Sequence, residues 1–418
     1  MRKGSDCVQQ AALAVVGGGA SGLAAALAAS RRAGFRPGSV VLLEKNPRVG
    51  KKLLLTGNGR CNLTNRNAGD RARYHGDTEA RAVLDRFPPE QILRLFQKAG
   101  LLCRELDGGR IYPYSLQASS VLNILRRNLD RSGVRVLCDF DVNRIEKSKD
   151  GFRLSSPAGA LFARRVVLAA GGSACPRTGS DGGGFSLAGK LGHTLRPVYP
   201  SLVQVKTDPA RVRSLKGVRC PALVSFRAGG KTVRTATGEV QFADGALSGI
   251  CVFELSRCFG ELHAPKDAEI VLDLFPEYET EQLIELLRTA ACGETGISAP
   301  QLLEGFLPKA LGAELSKYAL GVTQTKTGLR KTEEFQKLAR AAKEYRFPVR
   351  GTFSWDRAQV TAGGVPLSEL TENLESKKCR GLYLCGELLD VDGDCGGFNL
   401  HWAWASGLTA GKAAAESL

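Results

Sequence analysis

The sequence predicts an α/β protein in which a Rossmann-like domain with a small antiparallel meander is interrupted by an insert. Three observations predict this class. An apolar run near the N-terminus leads directly into a Gly-x-Gly-x-x-Gly motif, "VVGGGASG". From about Pro197, short β-like runs are followed by helical ones. The chain then closes with a buried strand, a glycine-rich loop and an alanine-rich helix, which repeats the character of its start.

The first element is a strand–helix–strand unit that is typical of dinucleotide binding. The predicted pieces are a buried strand, Ala11 to Val16, a helix from Ala20 to Ala33 that stops at Gly34, and a second buried strand, Val40 to Leu43. The three glycines of the motif have separate tasks: Gly17 permits a tight turn, Gly19 lets a pyrophosphate approach the backbone, and Gly22 lets the helix pack closely. Glu44 ends the second strand, where a carboxylate meets ribose hydroxyls.

A membrane or signal segment is the competing interpretation of this region. The run from Gln9 to Ser30 carries no charge, and Arg2 and Lys3 precede it. However, three consecutive glycines interrupt the apolar run after six residues, well short of the roughly 20 that a span needs. We therefore expect a cytoplasmic protein with no membrane partner.

Composition narrows the class further. With 418 residues and 43% hydrophobic composition, the chain is long enough for two or three domains. Its net charge of +16 is spread along the sequence, so a nucleic-acid partner is not favoured. Its 12 cysteines include no CxxC pair, which argues against a zinc ribbon or a thioredoxin-like dithiol, and we expect them to stay reduced.

The remaining elements follow in chain order. Helices are predicted at Thr78 to Arg86, Pro89 to Lys98 and Ala118 to Arg131, a strand at Val134 to Leu137, and a meander at Val142 to Ile145, Phe152 to Leu154 and Leu161 to Ala163. The insert is predicted to hold strands at Leu202 to Lys206, Ala222 to Phe226, Lys231 to Arg234, Glu239 to Phe242 and Glu269 to Leu274, then helices around Thr280 to Ala291 and Thr332 to Glu344. This pattern divides the chain into a first cofactor-domain segment (1–196), a β-rich insert (197–275), a helical insert (276–346) and a second cofactor-domain segment (347–418).

The glycine-rich C-terminus favours FAD as the dinucleotide. A nicotinamide dehydrogenase would continue from its first unit into a second half-sheet and a separate catalytic domain. Here the chain returns to strand-ending glycines at Gly386 and again at Gly396-Gly397, just before the last helix. The Asn399 end of that helix would present N–H groups to a flavin ring and stabilise the negative charge of its reduced form.

Four motifs together resemble one family. "GGGASG", "GNGRCNLTN", "VLAAGGSACPRTGSDGGG" and "GLYLCGELLDVDGDCGGFNLHWAWASG" are similar to those of the BaiN-like bacterial NAD(P)/FAD-dependent oxidoreductases, also called aminoacetone-oxidase-like flavoproteins. The resemblance covers nearly the whole chain. It implies an FAD domain of two-dinucleotide-binding type with a two-part insert. We also expect NAD(P)H as a transient electron donor, because the sequence has only one Gly-x-Gly-x-x-Gly motif.

The resemblance also implies specific contacts. Gly17, Gly19, Ser21 and Gly22 would bind the pyrophosphate, and Glu44 the adenosine ribose. The residues Thr56, Gly57, Asn58, Gly59, Arg60 and Cys61 would lie along the flavin, and Gly386, Glu387, Gly397, Phe398, Asn399 and Leu400 would hold the ribityl chain and ring. Ala20, Lys45, Val142, Ala170, Gly171 and Gly172 complete the predicted cofactor-binding set.

The predicted function is an FAD-dependent oxidoreductase that reduces an unsaturated or carbonyl-bearing small molecule, with a steroid-like or bile-acid-like enone as one candidate. Members of the family usually carry an "LFTHxGxSGP" pattern, whereas this chain keeps only Ser248-Gly249 and has Gln241 to Asp244 and Ile250 instead. The departure bears on the substrate pocket. An oxidase of a small amine or ketone, an RNA-modifying flavoprotein and a flavin-bearing sensor stay open as alternatives. Substrate identity, nicotinamide preference, proton donor and oligomeric state are not determined.

Several residues have both a chemical and a structural interpretation. Cys61 lacks a cysteine partner nearby in sequence, so we favour a structural or cofactor-lining thiol. His401 is a candidate proton donor, but a packed histidine in the first helical turn is favoured. Arg110 and Tyr112 could orient an acidic substrate or anchor a loop.

Two further features of the C-terminal segment are interpreted as structural. The segment Asp390 to His401 begins like a calcium loop. It has Cys395 where that loop needs glycine and His401 where it needs glutamate, so no metal site is predicted. Trp402 and Trp404 lie on an alanine-rich helix and are assigned to the core.

Overall fold

The computed structural model describes residues 9–32, 35–292, 296–321, 328–329 and 331–418. The chain forms two compact units, one from Met1–Tyr199 together with Gln359–Leu418, the other from Pro200–Ala358. No helix among the described residues has the length and apolarity that crossing a membrane requires. The predicted four-segment division stays a prediction.

The helices and strands are as follows. The first segment contains β1 (Gln9–Val16), α1 (Ala20–Ser30), β2 (Val40–Leu43), α2 (Thr56–Gly59), β3 (Thr64–Asn65), β4 (Tyr74–Gly76), α3 (Arg81–Arg86), α4 (Pro89–Lys98), β5 (Cys103–Leu106), β6 (Arg110–Pro113), α5 (Ala118–Arg131), β7 (Arg135–Leu137), β8 (Arg144–Lys147), β9 (Phe152–Ser156), β10 (Gly159–Leu168), α6 (Gly183–Lys190) and β11 (Arg196–Ser201). The middle segment contains β12 (Val205–Lys206), α7 (Pro209–Val212), β13 (Arg219–Ala228), β14 (Lys231–Ala243), β15 (Ala246–Ser248), α8 (Ile250–Glu261), β16 (Glu269–Asp273), α9 (Thr280–Ala291), α10 (Ala299–Leu303), α11 (Lys309–Leu320), α12 (Thr332–Lys343), β17 (Tyr345–Pro348) and β18 (Gly351–Thr352). The last segment contains β19 (Val360–Gly364), β20 (Leu382–Leu384), β21 (Val391–Gly393) and α13 (Phe398–Glu416).

A parallel sheet organises the first unit. Its strand order is β7-β2-β1-β10, and β20 pairs in parallel with the end of β10. The register aligns Val16 with both Leu43 and Leu168, and Leu168 with Leu384. The carboxyl ends of these strands therefore lie at one edge of the sheet, which is where open α/β sheets bind ligands.

The antiparallel meander consists of β8, β9 and the first half of β10. The predicted run at Leu161 to Ala163 is part of the longer strand β10, whose first part pairs with β9 and whose last part pairs with β20. The predicted fold class, a Rossmann-like α/β domain with a small meander, is confirmed. The predicted end of the first helix at Gly34 lies outside the described residues.

The helices from the two chain ends, α1 and α13, pack against each other through small residues. A Cβ added to Gly407 would lie 2.3 Å from the Ser21 carbonyl oxygen, and one added to Gly411 would lie 2.2 Å from that of Ala25. Neither distance is possible for a real side chain, so glycine at both positions is what allows this approach. The close packing holds the C-terminal helix beside the helix that follows the glycine motif.

The second unit is an antiparallel sheet of order β17-β16-β13-β14-β15-β12-β18 with helices that share its core. The prediction of separate strands at Lys231 to Arg234 and Glu239 to Phe242 was wrong, because both belong to the continuous strand β14. Helices α8, α10 and α11 were not predicted. In α8 a short apolar and cysteine-rich segment has no strong helical periodicity, so its burial against β14 decides its structure.

Candidate functional site

The cleft at the carboxyl edge of the parallel sheet is the candidate site. Every residue that lines it belongs to the first unit. Its empty volume, counted with its open mouth, is about 1270 Å³. Its lining runs from the glycine motif and the end of β2, past the loops after β10 and β20, to the N-terminus of α13, so the cleft is extended.

The glycine motif forms the floor of the cleft between β1 and α1. Gly17 has a φ of +105°, and a Cβ there would lie 2.4 Å from the Ala169 carbonyl oxygen. A Cβ on Gly22 would lie 1.8 Å from the Gly17 carbonyl oxygen. Gly19 differs, since a Cβ there would meet no atom within 4 Å. Gly17 and Gly22 are thus required by the fold itself, whereas Gly19 borders open space at the N-terminus of α1.

Glu44 is buried directly after β2 and is fixed by hydrogen bonds on both of its oxygens. Its Oε2 accepts from the Gly18 N–H at 2.8 Å, and its Oε1 accepts from the Asn46 backbone N–H at 2.8 Å and from Asn46 Nδ2 at 2.7 Å. A carboxylate has about four acceptor sites, and three are used here. The Glu44 side chain is therefore pre-oriented beside the glycine motif and retains acceptor capacity for a ligand hydroxyl.

A network around Glu387 joins the loops that follow β2, β10 and β20. The Lys52 ammonium forms an ion pair with Glu387 Oε2 at 2.7 Å. The Thr361 hydroxyl donates to Glu387 Oε1 at 2.8 Å and accepts from the backbone N–H groups of Ser173 and Ala174 at 2.8 and 3.1 Å. Segments far apart in sequence are thereby fixed in position along this wall.

A second group of contacts joins the loop after β10 to the end of β2. The Lys45 ammonium pairs with Asp181 at 2.7 Å, and Asn46 Nδ2 donates to the Thr178 carbonyl oxygen at 3.1 Å. Burial raises the pKa of Asp181, but hydrogen bonds from the Lys45 ammonium and from a backbone N–H lower it by more. The pKa of Asp181 is therefore below its usual value. Ser180, between these contacts, is buried, and its hydroxyl has no hydrogen-bond partner among the described residues.

The N-terminus of α13 closes the end of the cleft. Its preceding residue, Gly397, has a φ of +105°, and a Cβ there would lie 2.5 Å from the Thr64 carbonyl oxygen. The Asn399 side chain is held by the Gly393 backbone, accepting from its N–H at 2.8 Å and donating to its carbonyl oxygen at 2.7 Å. Asn399 and Leu400 line the cleft. A helix N-terminus at this position favours negative charge nearby.

The predicted cofactor-binding residues divide into two groups. Those that line the cleft are Gly17, Gly19, Ala20, Ser21, Glu44, Lys45, Thr56, Val142, Ala170, Gly171, Glu387, Asn399 and Leu400. Those outside its lining are Gly22, Gly57, Asn58, Gly59, Arg60, Cys61, Gly172, Gly386, Gly397 and Phe398. Members of the second group such as Gly22 and Gly397 shape the backbone that borders the cleft. The cofactor contacts themselves stay a prediction.

The prediction missed several polar residues of the cleft, among them Lys51, Lys52, Thr178, Ser180 and Asp181. The adjacent lysines in "VGKKLLL" were a usable signal, since basic residues that follow a dinucleotide-binding unit suit a phosphate ligand. Nothing in the local sequence indicates that residues 178–181 return to the end of β2. That contact depends on where the loop after β10 folds.

His401 does not reach the cleft. It is fully buried, its Nδ1 lies 2.8 Å from the Thr64 hydroxyl, and burial lowers its pKa to about 4. A neutral, enclosed imidazole agrees with the packing interpretation. Cys61 is likewise fully buried, and burial raises the pKa of its thiol to about 12, so the reactive thiolate is absent at neutral pH.

The other ambiguous residues also have structural contacts. Arg110 donates through Nε to the Asp107 carbonyl oxygen at 2.7 Å, and Tyr112 is buried beneath the Arg60 guanidinium. Both contacts suit residues that anchor a loop. The indoles of Trp402 and Trp404 are buried and donate to the carbonyl oxygens of Gly386 and Leu63, at 3.1 and 2.9 Å. Their predicted place in the core is confirmed, although Trp402 also borders the cleft.

The three aspartates of the calcium-like segment are used within the protein. Asp390 pairs with Arg196 at 2.7 Å, and Asp394 pairs with His75 at 2.8 Å and Arg73 at 3.2 Å. Asp392 is almost fully buried. These contacts fix the turn that carries β21 toward the start of α13.

Comparison with known proteins gives the family. The model of the HI0933-like protein Rossmann domain matches residues 11–413. The chain is 40% identical over 408 residues to the 3-dehydro-bile acid delta(4,6)-reductase of Clostridium scindens, covering 97% of this chain and 99% of the relative. It is 26% identical over 399 residues to the ribosomal RNA dihydrouridine synthase of Escherichia coli, covering 94% of this chain and 95% of the relative.

Among solved structures, the 3-ketosteroid-delta4-(5alpha)-dehydrogenase of Rhodococcus jostii matches with a TM-score of 0.48 and 16% identity, covering 97% of each chain. The full-length relatives and the family model confirm the predicted resemblance and the prediction of an enzyme, an oxidoreductase of the flavoprotein type. The chain belongs to the HI0933-like Rossmann family.

Proposed function

We propose that this chain binds FAD in the cleft and reduces a carbon–carbon double bond conjugated to a carbonyl group in a small molecule. The observation that carries the proposal is the combination of the extended cleft with a full-length relative, 40% identical, whose name states reduction of a 3-dehydro-bile acid at positions 4 and 6. Double bonds at those positions are conjugated to a 3-oxo group. The same class of bond is therefore the substrate proposed here.

The cleft's own groups fit FAD. Gly19 leaves open space at the N-terminus of α1, so a diphosphate can approach the free N–H groups of the helix without meeting a side chain. Glu44 is oriented to accept from the hydroxyls of the adenosine ribose. In the same region, the buried Ser180 hydroxyl has no hydrogen-bond partner in the part of the chain that the structure describes. A polar group of the ligand would satisfy it.

The C-terminal residues would serve the riboflavin half. Glu387, held by Lys52 and Thr361, faces the cleft after β20 and would accept from hydroxyls of the ribityl chain. The N-terminus of α13 would stabilise negative charge on the ring. When bound, FAD would supply a two-electron carrier that takes a hydride from NAD(P)H and delivers it to the alkene carbon, with a proton completing the reduction.

We further propose NAD(P)H as a transient donor, because the sequence has one Gly-x-Gly-x-x-Gly unit and that unit is assigned to FAD. The proton would not come from His401, since burial lowers its pKa to about 4 and it does not line the cleft. The acid that completes the reduction would be a group of the bound complex or solvent.

Anaerobic reduction of the purified holoprotein by NADH and by NADPH tests the proposal. We expect bleaching of the flavin absorption, then reoxidation by 3-oxo steroids with a 4-ene or 4,6-diene, but not by the matched saturated 3-oxo steroid. Reoxidation by air alone at a comparable rate would favour the oxidase alternative. Protein that binds no FAD, or reduced protein that no enone reoxidises, would refute the proposal.

A second candidate is the reduction of uracil in RNA. The observation that favours it is the relative from Escherichia coli named as a ribosomal RNA dihydrouridine synthase. The net charge of +16 is spread along the sequence, so it does not by itself indicate an RNA surface. Uracil also carries a double bond conjugated to a carbonyl, so both candidates need the same chemistry at the flavin. Tight, salt-dependent binding of ribosomal RNA and formation of dihydrouridine in it would support this candidate, since phosphate contacts make affinity fall steeply with salt.

A further inference from the structure

Two adjacent lysines in the cleft, Lys51 and Lys52, contact different residues through their ammonium groups. Lys51 Nζ lies 3.5 Å from Asn46 Oδ1, and Asn46 in turn binds Glu44 through its Nδ2. Lys52 Nζ lies 2.7 Å from Glu387 Oε2. Lys51 therefore lies on the β2 side of the cleft, whereas Lys52 lies on the β20 side.

These two sides correspond to the two halves of the proposed ligand. The end of β2 carries Glu44, which suits the adenosine ribose, and the end of β20 carries Glu387, which suits the ribityl chain. The N-terminus of α1, where a diphosphate fits, joins the two ends. The ammonium groups of Lys51 and Lys52 would therefore approach a diphosphate at this position from the β2 side and from the β20 side.

The charges of the cleft lysines are not balanced equally. Lys45 is neutralised by Asp181 and Lys52 by Glu387. Within the described ranges, Lys51 forms no ion pair, and its contact is with the neutral amide of Asn46. Lys51 is therefore the cleft lysine whose positive charge lacks a carboxylate.

The helix dipole alone is too small to balance a diphosphate, so an additional positive charge is needed. A helix N-terminus is equivalent to roughly half an elementary charge, while a diphosphate diester carries about two negative charges. The N-terminus of α1 has no basic residue in its first turn to add to that half charge, since the turn begins "ASGL". A diphosphate there would remain largely uncompensated without a nearby cation.

We propose that Lys51 supplies this cation to the diphosphate of the bound cofactor, and that Lys52 acts as a positioning residue for the riboflavin half through Glu387. The inference rests on the proposed FAD site and assigns it two residues absent from the sequence prediction. It makes affinity for phosphate-bearing flavins depend on Lys51 and affinity for every flavin depend on Lys52.

Flavin titration of the deflavinated protein separates these roles. Dissociation constants for FAD and riboflavin would be measured by fluorescence quenching at about 50 and about 500 mM salt, for the wild type, Lys51→Gln, Lys52→Gln and Lys412→Gln. Lys412 is an exposed lysine near the end of α13 and serves as the matched control for loss of one positive charge.

Lys51→Gln should weaken FAD binding about tenfold at low salt, as expected for a charge-assisted hydrogen bond, and should leave riboflavin binding within about twofold of wild type. Its FAD affinity should also depend less on salt than that of the wild type. Lys52→Gln should weaken both ligands by a similar factor. Lys412→Gln should match the wild type.

Lys51→Arg restores the charge and should keep FAD affinity within about threefold of wild type, which guards against a merely misfolded Lys51→Gln protein. Equal FAD affinity of Lys51→Gln and wild type at low salt, or an equal loss for riboflavin, would overturn the inference while leaving the FAD site intact. A wild-type protein that binds neither flavin would instead overturn the proposed function.

Discussion

The buried imidazole of His401 makes the stability of the first unit depend on pH in a specific window. His401 is fully buried in the first turn of α13, and burial lowers its pKa from 6.5 to about 4. In the unfolded chain the side chain would titrate near 6.5. Between these two values the unfolded chain binds a proton that the folded protein does not.

The sign and size of the effect follow from this difference. Because the unfolded state binds more protons in this window, the contribution of His401 to the free energy of unfolding is fully present above pH 6.5 and is lost as the pH decreases toward 4. At about 1.4 kcal/mol per pKa unit, the interval from 6.5 to about 4 corresponds to about 3 kcal/mol. That is a large part of the stability of an ordinary domain.

His401→Asn isolates this contribution. An asparagine Oδ1 can replace Nδ1 as the partner of the Thr64 hydroxyl, but it does not titrate. Urea unfolding would be measured from about pH 7 to about pH 4, using the fluorescence of Trp402 and Trp404, which are buried on the same helix. Between these limits the wild type should lose about 3 kcal/mol more than the variant.

Carboxylates and other histidines titrate in both proteins and cancel in this comparison. Wild type and His401→Asn with parallel pH profiles, within about 1 kcal/mol, would refute the argument that a neutral buried imidazole is retained. The variant should also keep the wild-type pH dependence of turnover. A shifted rate profile would instead restore His401 as a proton donor.

Three further predictions concern the cleft and its surroundings. Gly22→Ala places a Cβ 1.8 Å from the Gly17 carbonyl oxygen, so α1 must move away from β1. FAD affinity, measured by fluorescence titration, should therefore fall at least about tenfold. Unchanged binding would contradict this close contact between α1 and the Gly17 carbonyl group. Thr361→Val leaves one buried and one partly buried N–H group without an acceptor and removes a donor to Glu387, so it should destabilise the protein by about 3 kcal/mol in urea unfolding. A loss below about 1 kcal/mol would count against the network. Cys61→Ala should retain turnover. In the native wild type, the Cys61 thiol should resist iodoacetamide at about pH 8, because burial raises its pKa to about 12. Rapid labelling at this position would show an exposed thiolate.

The cofactor domain was predictable because its signals are local. Gly17 and Gly22 are required by close backbone contacts around one strand–turn–helix unit. Their spacing in the sequence motif is therefore enough to predict this unit. Glu44 follows β2 immediately, and its position at the sheet edge is a property of any parallel strand of that length. The meander was predictable for the same reason, since its strands are consecutive and alternate in polarity.

The insert was less predictable because burial, not periodicity, decides its elements. Lys231 to Arg234 and Glu239 to Phe242 resemble two short strands, yet β14 continues through the polar residues between them because β13 pairs with it along its length. In α8 the helical pattern is weak in sequence, and the burial of Cys251 and Leu255 on one face of the segment stabilises the helix. Strand pairing between residues far apart in sequence cannot be recognised from the composition of a few consecutive residues.

By itself, the sequence determined the fold class, the glycine motif with its carboxylate, and the return of the C-terminus to the same sheet edge. Only the tertiary structure decided which polar groups meet in the cleft. Lys52 and Glu387 are 335 residues apart, and Thr361 lies 188 residues from Ser173. Such pairs form because the loops at the carboxyl ends of β2, β10 and β20 lie at one edge of the sheet. Which side chains then meet depends on the distances and charges in the folded protein, and a local stretch of sequence does not contain that information.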